Sequence, residues 1–249
     1  MTSPFRLEAA SRTHVGYVRR RNEDCYLQGR HLFAVADGLG GHVAGDVASS
    51  AAIDALRAHD RAVGTEDLAE TLGRAVSEVN ETLRRRIRER PELTGMGTTL
   101  VALLWSRTDA ALANIGDSRA YLMRNRGSGE STFRQVSEDH TYQHLVAGSG
   151  AVPHLSGMLA RFLDGRHDGR SPDLSVLPLQ PGDRILLCSD GLSSYVPEEL
   201  IHNTLGSGRN PRSTADQLVT LALDHGGHDN ITAIIVDVHN PHLQPYANG

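Results

Sequence analysis

"TLVALLWSRTDAALANIGD", residues 99–117, determines the kind of sheet that this chain builds. It holds two dense apolar runs, 99–105 and 110–115, joined by a short polar turn. A link of this length joins antiparallel strands, because parallel neighbours need a crossover of a dozen or more residues. The sequence therefore predicts sheets that are at least partly antiparallel. Further apolar runs, bounded by Gly, Asp or Asn, lie at 32–36, 184–189 and 231–238.

Helical periodicity is found in two main segments, 46–59 and 66–89. In the second, apolar residues form one stripe, and Pro91 ends the pattern. The basic cluster "RRRIRER", residues 84–90, lies mostly off that stripe, so we interpret it as a solvated helix face rather than a nucleic-acid patch. The stripe consists of Leu68, Leu72, Val76, Val79, Leu83 and Ile87. Loops are predicted at 125–131, 147–173 and 206–213, where Gly, Ser, Pro and Asn cluster.

Size and charge indicate a globular protein without a basic footprint. The 249 residues, 39% of them hydrophobic, can form one large core, and we predict a single domain over 1–249. Lys and Arg number 25 against 30 Asp and Glu, so the net charge of −5 favours neither nucleic acid nor a membrane as partner. No run approaches the roughly 20 apolar residues of a membrane span, and the N-terminus lacks the apolar core of a signal peptide. We therefore expect a cytoplasmic protein.

Cysteine and histidine spacing gives no zinc-type pattern. Cys25 and Cys188 are far apart and outside any Cys-x-x-Cys, so neither a disulfide framework nor a thiolate site is indicated. Cys188 lies inside an apolar run and is interpreted as a buried structural thiol. Two histidine pairs are closely spaced but have no obvious third ligand, which favours surface or supporting roles. These pairs are His140 with His144 and His225 with His228.

The glycine-dense stretch "LFAVADGLGGHVAG", residues 32–45, superficially resembles a nucleotide loop. The dinucleotide fingerprint G-x-G-x-x-G would place its third glycine at Val43 and needs a parallel βαβ unit. A phosphate-binding P-loop needs Gly-Lys-Ser/Thr, which the chain lacks. Neither nucleotide motif is therefore present, and the carboxylate of Asp37 becomes the notable feature of the stretch.

Four aspartates stand next to apolar runs in the same way: Asp37, Asp117, Asp190 and Asp229. Each alone is most often a turn residue. If the strand ends share one sheet edge, however, the carboxylates converge, and their mutual repulsion raises their pKa values unless cations hold them. Oxygen ligands suit Mg²⁺ or Mn²⁺, and two such ions about 3.5–4 Å apart can clamp a phosphate and activate a water. The pattern favours metal-dependent hydrolysis.

Seven motifs in order resemble the bacterial branch of the PP2C-type (PPM) serine/threonine protein phosphatases, over residues 16–238. They are "VRRRNED" (18–24), "VADGLGGHVAG" (35–45), "GTTL" (97–100), "IGDSRAY" (115–121), "EDHT" (138–141), "LLCSDGL" (186–192) and "GGHDNIT" (226–232). The resemblance implies an α+β fold, a four-layer α-β-β-α sandwich of two packed antiparallel sheets flanked by helices. It also implies two Mn²⁺ or Mg²⁺ ions, with a third ion bound more weakly.

The resemblance also implies metal ligands, carried over position by position. Asp37 would bridge both metals, and the carbonyl of Gly38 would hold the second of them. Asp190 and Asp229 would hold the first. Asp117 would belong to the third, weaker site and share Asp190 with it, although a plain turn role for Asp117 stays open.

Arg19, four residues before Glu23, resembles the phosphate-binding arginine of the family. A planar guanidinium can grip two phosphate oxygens at once, which supports this role. Glu23 and Asp24 would act near the metals, mostly through waters, and Asn230 would orient Asp229. All of these are expectations from the resemblance.

Two positions depart from the family pattern. Leu39 stands where some members carry a histidine that acts as general acid; His42 is a candidate only by proximity, and a structural role is favoured for it. The flap-like segment 142–172 matches the usual bacterial pattern poorly. Substrate preference is therefore the family property that can least be transferred to this chain.

The resulting functional prediction is a phosphatase that hydrolyses phosphoserine and phosphothreonine by direct attack of a metal-bridging water. Its partners would be phosphorylated proteins, the substrates of a serine/threonine kinase. Two alternatives stay open: a non-catalytic signalling module of the same fold, and a metallohydrolase of small phosphate esters. Retention of all four aspartates and Arg19 disfavours the first.

Overall fold

The computed structural model describes residues 5–39, 44–125, 131–142, 158–166 and 171–240. These residues form two sheets in which all strand pairs are antiparallel. The first sheet has the order β1 (Arg6–His14), β11 (Ile231–His239), β10 (Asp183–Cys188), β7 (Arg119–Asn125) and β8 (Ser131–Gln135). The second has the order β2 (Asp24–Gln28), β3 (Leu32–Leu39), β5 (Leu100–Ser106), β6 (Asp109–Ile115) and β9 (Asp173–Pro178), with β4 (Gly97–Thr98) paired to β3.

The described helices flank these sheets. They are α1 (Gly45–Arg57), α2 (Leu68–Glu89), the single turn α3 (Asp190–Ser193), α4 (Glu198–Leu205) and α5 (Pro211–Asp224). Short 3-10 turns precede and follow α2 at Thr65–Asp67 and Pro91–Leu93. No helix of the described ranges is long and apolar enough to cross a membrane.

Three apolar layers hold the elements together. Along β3 the side chains alternate, so that Phe33 and Val35 enter the layer between the sheets while Ala34 and Ala36 face α1 and α2. A third layer lies between the first sheet and the helices α3 to α5. The architecture is the predicted four-layer α-β-β-α sandwich.

The hairpin predicted from residues 99–117 is confirmed. Strands β5 and β6 pair antiparallel, and Ser106 faces Asp109 across a two-residue turn. The apolar runs predicted as strands all form strands, with ends that differ by at most three residues. Helix α2 buries its predicted stripe from Leu68 to Leu83, with Ile87 partly buried, and ends just before Pro91.

One loop prediction is wrong at its end. Within 206–213, Pro211 begins helix α5, and the side chain of Asn210 caps it by accepting a hydrogen bond from the Ser213 N–H at 2.8 Å. An Asn cap followed by Pro at the first helical position is itself a helix start signal. The composition that marks a loop also marks a capped helix, so composition alone misleads here.

Several predictions fall outside the described residues. These include His42, Val43, His144 and most of the loops at 125–131 and 147–173. Of the flap-like segment 142–172, the described part returns to the sheet: Leu163 is fully buried and exchanges backbone hydrogen bonds of 2.8 and 2.9 Å with Thr98.

Candidate metal centre

The predicted carboxylates lie at one end of the layer between the sheets. Asp37 continues the face of β3 that carries Phe33 and Val35 into this layer. Asp190 follows β10 and Asp229 precedes β11, and these two strands are antiparallel neighbours in the opposite sheet. The two sheets therefore present the three aspartates to the same cleft.

Asp24 faces Asp37 directly across the β2–β3 pair, where like charges repel. Its Oδ2 accepts hydrogen bonds of 2.7 Å from the hydroxyls of Ser189, which directly follows β10, and Thr232 in β11 of the other sheet. Its buried Oδ1 has no hydrogen-bond partner within the described ranges. Burial, together with the neighbouring acids, outweighs the two hydroxyls and raises the pKa of Asp24 to about 7.

The other acids of the cleft perturb one another strongly. Burial and repulsion from four neighbouring aspartates raise the pKa of Asp37 well above its ordinary value. Burial and the charge of Asp229 likewise raise the pKa of Asp190. Burial and the charge of Asp190 raise the pKa of Asp117 to about 7. These effects place the acids within electrostatic range of one another, and a bound cation would relieve their repulsion.

Two buried threonines fix the backbone at Asp37. The Thr98 hydroxyl and the Thr99 N–H both donate to the Asp37 carbonyl at 2.9 Å. The Asp37 N–H donates in turn to the Thr99 hydroxyl at 3.1 Å, and that hydroxyl lies 2.8 Å from the hydroxyl of Ser118. The "GTTL" motif is thus a clamp that determines where the Asp37 carboxylate points.

Oxygen atoms crowd around Gly45 at the start of α1. A β-carbon added there would lie 2.7 Å from Oε2 of Glu23 and 2.9 Å from the carbonyl oxygen of Gly38. The Gly38 N–H donates to the Glu23 carbonyl at 3.1 Å, which holds the two segments together. Only glycine fits at position 45, and the result is a carboxylate and a carbonyl on one side of the cleft.

Arg19 enters the cleft from an exposed segment. Its guanidinium donates to Oδ2 of Asp229 at 2.6 Å, and its pKa is raised by this bond and, after the opposing effect of burial, by the charges of Asp229, Asp37 and Asp190. No three His, Cys, Asp or Glu side chains of the described ranges are gathered closely enough to enclose one ion. One physical reason why these side chains do not converge is the ion pair between Asp229 and Arg19. It turns the carboxylate of a predicted metal ligand toward the guanidinium.

Asn230 organises the chain more widely than predicted. Its backbone N–H donates to Oδ1 of Asp229 at 2.8 Å, which orients that carboxylate. Its side chain instead binds the carbonyls of Val15 and Arg21, both at 2.9 Å, and accepts from the Glu23 N–H at 2.8 Å. The Asn230 amide therefore anchors the segment that carries Arg19.

The donor set fits hard divalent cations. Its members are carboxylate and carbonyl oxygens, and one buried oxygen on each of Asp24 and Asp190 has no hydrogen-bond partner within the described ranges. Mg²⁺ commonly takes only one or two carboxylates and keeps several waters. The arrangement thus suits ions shared between carboxylates and water better than a closed protein cage.

The soft-ligand alternatives find no support in the described side chains. Cys188 is buried in β10, and burial raises the pKa of its thiol to about 12. His140 is buried and structural, since its Nδ1 accepts from the Gly116 N–H at 3.1 Å and its Nε2 lies 2.9 Å from Asp173. His225 binds the Leu221 carbonyl within α5 at 2.7 Å.

Sequence reasoning missed one partly buried ion pair beside the centre. Arg119, at the start of β7, makes three hydrogen bonds of 2.7–3.0 Å to the carboxylate of Asp139. It also donates to the Tyr121 hydroxyl at 3.1 Å and the Ser193 carbonyl at 3.4 Å. This network ties the segment after Asp117 to the turn that begins at Asp190. Both partners lie inside the quoted motifs, but their 20-residue separation gave no local signal.

The rim of the cleft is aromatic. The rings of Tyr195 and His228 lie 5.1 Å apart, and Tyr17 packs beside Gly227 with 69% of its surface exposed. Burial and the charges of Asp190 and Asp229 raise the pKa of Tyr195, so its phenol stands close to the acids. A substrate approaching the carboxylates would contact these rings.

Known proteins with this sequence pattern and fold were found by comparison. The profile of the family "Protein phosphatase 2C" matches residues 19–225. The serine/threonine phosphatase stp of Listeria welshimeri is 36% identical over 247 residues, which cover 93% of this chain and 96% of that protein. The serine/threonine protein phosphatase PstP of Mycobacterium tuberculosis is 39% identical, and the match covers 93% of this chain and 45% of that longer protein.

A solved structure agrees with the fold and with a manganese-dependent centre. The catalytic domain of PstP, crystallised in complex with two manganese ions, superposes with a TM-score of 0.83 at 40% identity and covers 94% of this chain and 98% of that one.

Proposed function

Since this chain belongs to the protein phosphatase 2C family, we propose that it hydrolyses phosphoserine and phosphothreonine in proteins at a divalent-metal centre. The observation that carries the proposal is the cluster of mutually repelling carboxylates in the cleft between the sheets. We further propose that the whole chain, 1–249, acts as one phosphatase domain, because sequence matches to the relatives cover 93% of it.

The residues that would hold the ions are those with oxygen donors facing the cleft. Asp37 is central, since it lies among four other aspartates. Asp190 and Asp229 would complete the first site, and the Gly38 carbonyl the second. Asp117 would serve a third, weaker site. When bound, Mn²⁺ or Mg²⁺ supplies Lewis-acid polarisation of the phosphate and lowers the pKa of water to make a nucleophile.

The chain's own residues bind and orient the substrate. Arg19 would exchange its bond to Asp229 for the phosphate oxygens, which a guanidinium can grip in bidentate fashion. Asn230 holds the Arg19 segment in place, and the threonine clamp fixes Asp37. Leu39 is apolar, so the position after Gly38 offers no side chain that could protonate the leaving serine.

The partners would be phosphoproteins made by a serine/threonine kinase. The names of the relatives support this substrate class, and the open aromatic rim gives a polypeptide access to the acids. We place the reaction in the cytoplasm, where the free thiols Cys25 and Cys188 would stay reduced.

The test is hydrolysis of a phosphothreonine peptide and of p-nitrophenyl phosphate with added Mn²⁺, with and without excess EDTA. We expect turnover of both only when the metal is present, and Asp190→Asn should lower kcat by at least about 100-fold. Asp67→Asn, a charge-matched change of an exposed residue before α2, should leave the rate unchanged.

Each alternative has its own outcome. If folded, Mn²⁺-loaded protein turned over neither substrate, the chain would be a binding module. If it turned over p-nitrophenyl phosphate but left the phosphopeptide intact, it would be a hydrolase of small esters.

A further inference from the structure

A second cavity lies between the sheets at the end opposite the carboxylates. It has a volume of about 810 Å³. Phe33 at the start of β3, Trp105 near the end of β5 and Leu7 at the start of β1 line it. Phe33 precedes Asp37 by four residues, so the two sites lie roughly 13 Å apart along one extended strand. The size suits a small organic molecule, since ligand pockets commonly span about 300–1,000 Å³.

Arginine side chains are concentrated around this cavity. Arg6, Arg30 and Arg107 line it together with His31, and the described lining includes no Asp or Glu, although Arg6 also lies 3.8 Å from the exposed carboxylate of Glu8. The chain as a whole carries a net charge of −5, so a cavity lined by three arginines differs from the average charge of the protein. Arginines placed in this way attract anions and bind phosphate or carboxylate with good geometry.

The wall of the cavity that carries Arg30 and His31 is held by several hydrogen bonds. The Asp60 carboxylate accepts hydrogen bonds from three consecutive N–H groups, those of Arg30, His31 and Leu32, at 2.6–3.0 Å. The three bonds stabilise the ionised carboxylate: although burial raises its pKa, they bring the pKa of Asp60 below its usual value, and the anion fixes the backbone of this wall. The Trp105 indole donates to the Arg30 carbonyl at 2.9 Å and stacks against the His31 ring at 5.8 Å. Preorganised walls lower the entropic cost of binding.

Arg107 adds an independent sign of function. It is the first residue of the two-residue β5–β6 turn and has a φ of +52°, the only non-glycine residue with positive φ in the described ranges. Glycine is the favoured residue at such a position, because a side chain there is strained. Strained residues of this kind concentrate at functional sites. The strain keeps an arginine at the cavity where glycine would fold more easily.

We propose that this cavity binds a small organic phosphate with an aromatic body, of the mononucleotide class. The arginines would bind the phosphate. The planar body would lie against the apolar wall of Phe5, Leu7 and Val63, with Trp105 at the floor. The proposal concerns binding only and does not rest on the phosphatase activity.

Trp105 is the only tryptophan in the chain, so its fluorescence reports on this cavity alone. The probes are AMP, adenosine and inorganic phosphate, titrated into protein kept in EDTA so that hydrolysis at the metal centre is stopped. We expect a saturable change with AMP and at least tenfold weaker responses to adenosine and to phosphate.

Two variants test the residues. Arg30→Ala and Arg107→Gly should each weaken AMP binding roughly tenfold. Arg107→Gly removes backbone strain, so its melting temperature should not fall, and a loss of binding is then separate from a folding defect. Arg85→Ala, on the exposed face of α2, is the matched control and should bind AMP like the wild type.

Three results of the titrations with AMP and phosphate would overturn the proposal, and a fourth comes from an Arg19 variant. They are the lack of any saturable response to AMP, equal binding by both arginine variants and the wild type, and equal affinity for phosphate alone. Loss of AMP binding in Arg19→Ala would move the ligand to the metal centre and would also overturn it. Metal-dependent activity can persist in every one of these cases, so the two proposals fail separately.

Discussion

At the scale of single residues, the cleft depends on which cation neutralises Asp229. The Arg19 guanidinium does so now, at 2.6 Å, and it is 53% exposed while the Asp229 side chain is 18% exposed. An ion pair this exposed to solvent contributes little to stability, because solvent screens the charges. Arg19 can therefore leave Asp229 for a metal ion and a phosphate at small cost.

Arg19→Ala should separate phosphate binding from metal binding. Removing the guanidinium frees the Asp229 carboxylate, so Mn²⁺ affinity by calorimetry should be unchanged or higher. The KM for a phosphopeptide should rise roughly 10- to 100-fold, the value of a charge-assisted bidentate contact. Arg20→Ala, at the exposed neighbouring position, is the control and should leave both constants unchanged. A loss of Mn²⁺ as severe as in Asp190→Asn would contradict this division of roles.

Asp117 is the aspartate for which a turn role competes with a metal role. The Asn side chain keeps the shape and the local hydrogen-bonding capacity of a turn aspartate but not its charge. Asp117→Asn should therefore fold with an unchanged melting temperature, retain the tightly bound ions, and require more Mn²⁺ for half-maximal rate. The measurement is rate against Mn²⁺ concentration. An unaltered Mn²⁺ dependence would return Asp117 to the turn.

At the scale of elements, the centre depends on two turns packed in direct contact. A β-carbon on Gly191, in the α3 turn after Asp190, would lie 1.9 Å from the Asn230 carbonyl oxygen. The same Asn230 anchors the Arg19 segment through its side chain. The α3 turn, the start of β11 and the N-terminal segment are thus coupled through one residue.

Gly191→Ala should damage both stability and activity. The added methyl group must push the Asn230 backbone away, and with it Asp229 and the Arg19 segment. We expect a loss of about 2 kcal/mol or more in unfolding free energy by urea titration, and a fall in kcat/KM. Gly206→Ala is the control, because the nearest atom to its added carbon is 3.5 Å away. Normal activity in a stable Gly191→Ala variant would show that the packing here is not required.

At the scale of the whole molecule, both sheets contribute acids to one cleft, and folding forces them together. Burial, together with the charges of the neighbouring acids, raises the pKa values of Asp24 and Asp117 to about 7. A carboxyl whose folded pKa exceeds its unfolded value of about 4 stabilises the fold fully below pH 4. That stabilisation is lost as the pH rises through about 7.

The metal-free protein should therefore melt at a lower temperature at pH 8 than at pH 6. Mn²⁺ should raise the melting temperature more at pH 8, because metal ligands must be deprotonated. Thermal melts in EDTA and in Mn²⁺ across pH 5.5–8.5 measure both effects. Asp24→Asn removes one titrating group and keeps an oxygen for the Ser189 and Thr232 hydroxyls, so it should flatten the pH dependence. A metal-free melting temperature that rises with pH over this range would refute the argument.

The sequence by itself determined the features that depend on near neighbours. The length of the turn at 106–109 required an antiparallel hairpin, alternation in β3 assigned Phe33 and Val35 to one face, and α2 followed its apolar stripe. The aspartates at strand ends could also be recognised in the sequence, because a strand and the residue that follows it are contiguous in the chain. The loop prediction at 206–213 erred because capped helices and loops share composition.

Only the tertiary structure decided which side chains meet. Arg19 and Asp229 are 210 residues apart, Asn230 and Val15 are 215 apart, and Asp24 bonds to Thr232 across 208. The arginine cavity likewise joins β1, the β2–β3 turn and the β5–β6 turn. Such contacts carry no periodic signal, because the packing of one sheet on the other sets them and that packing depends on the whole core. The sequence thus determined the carboxylates and their strands, and the packing of the two sheets determined that they share one cleft.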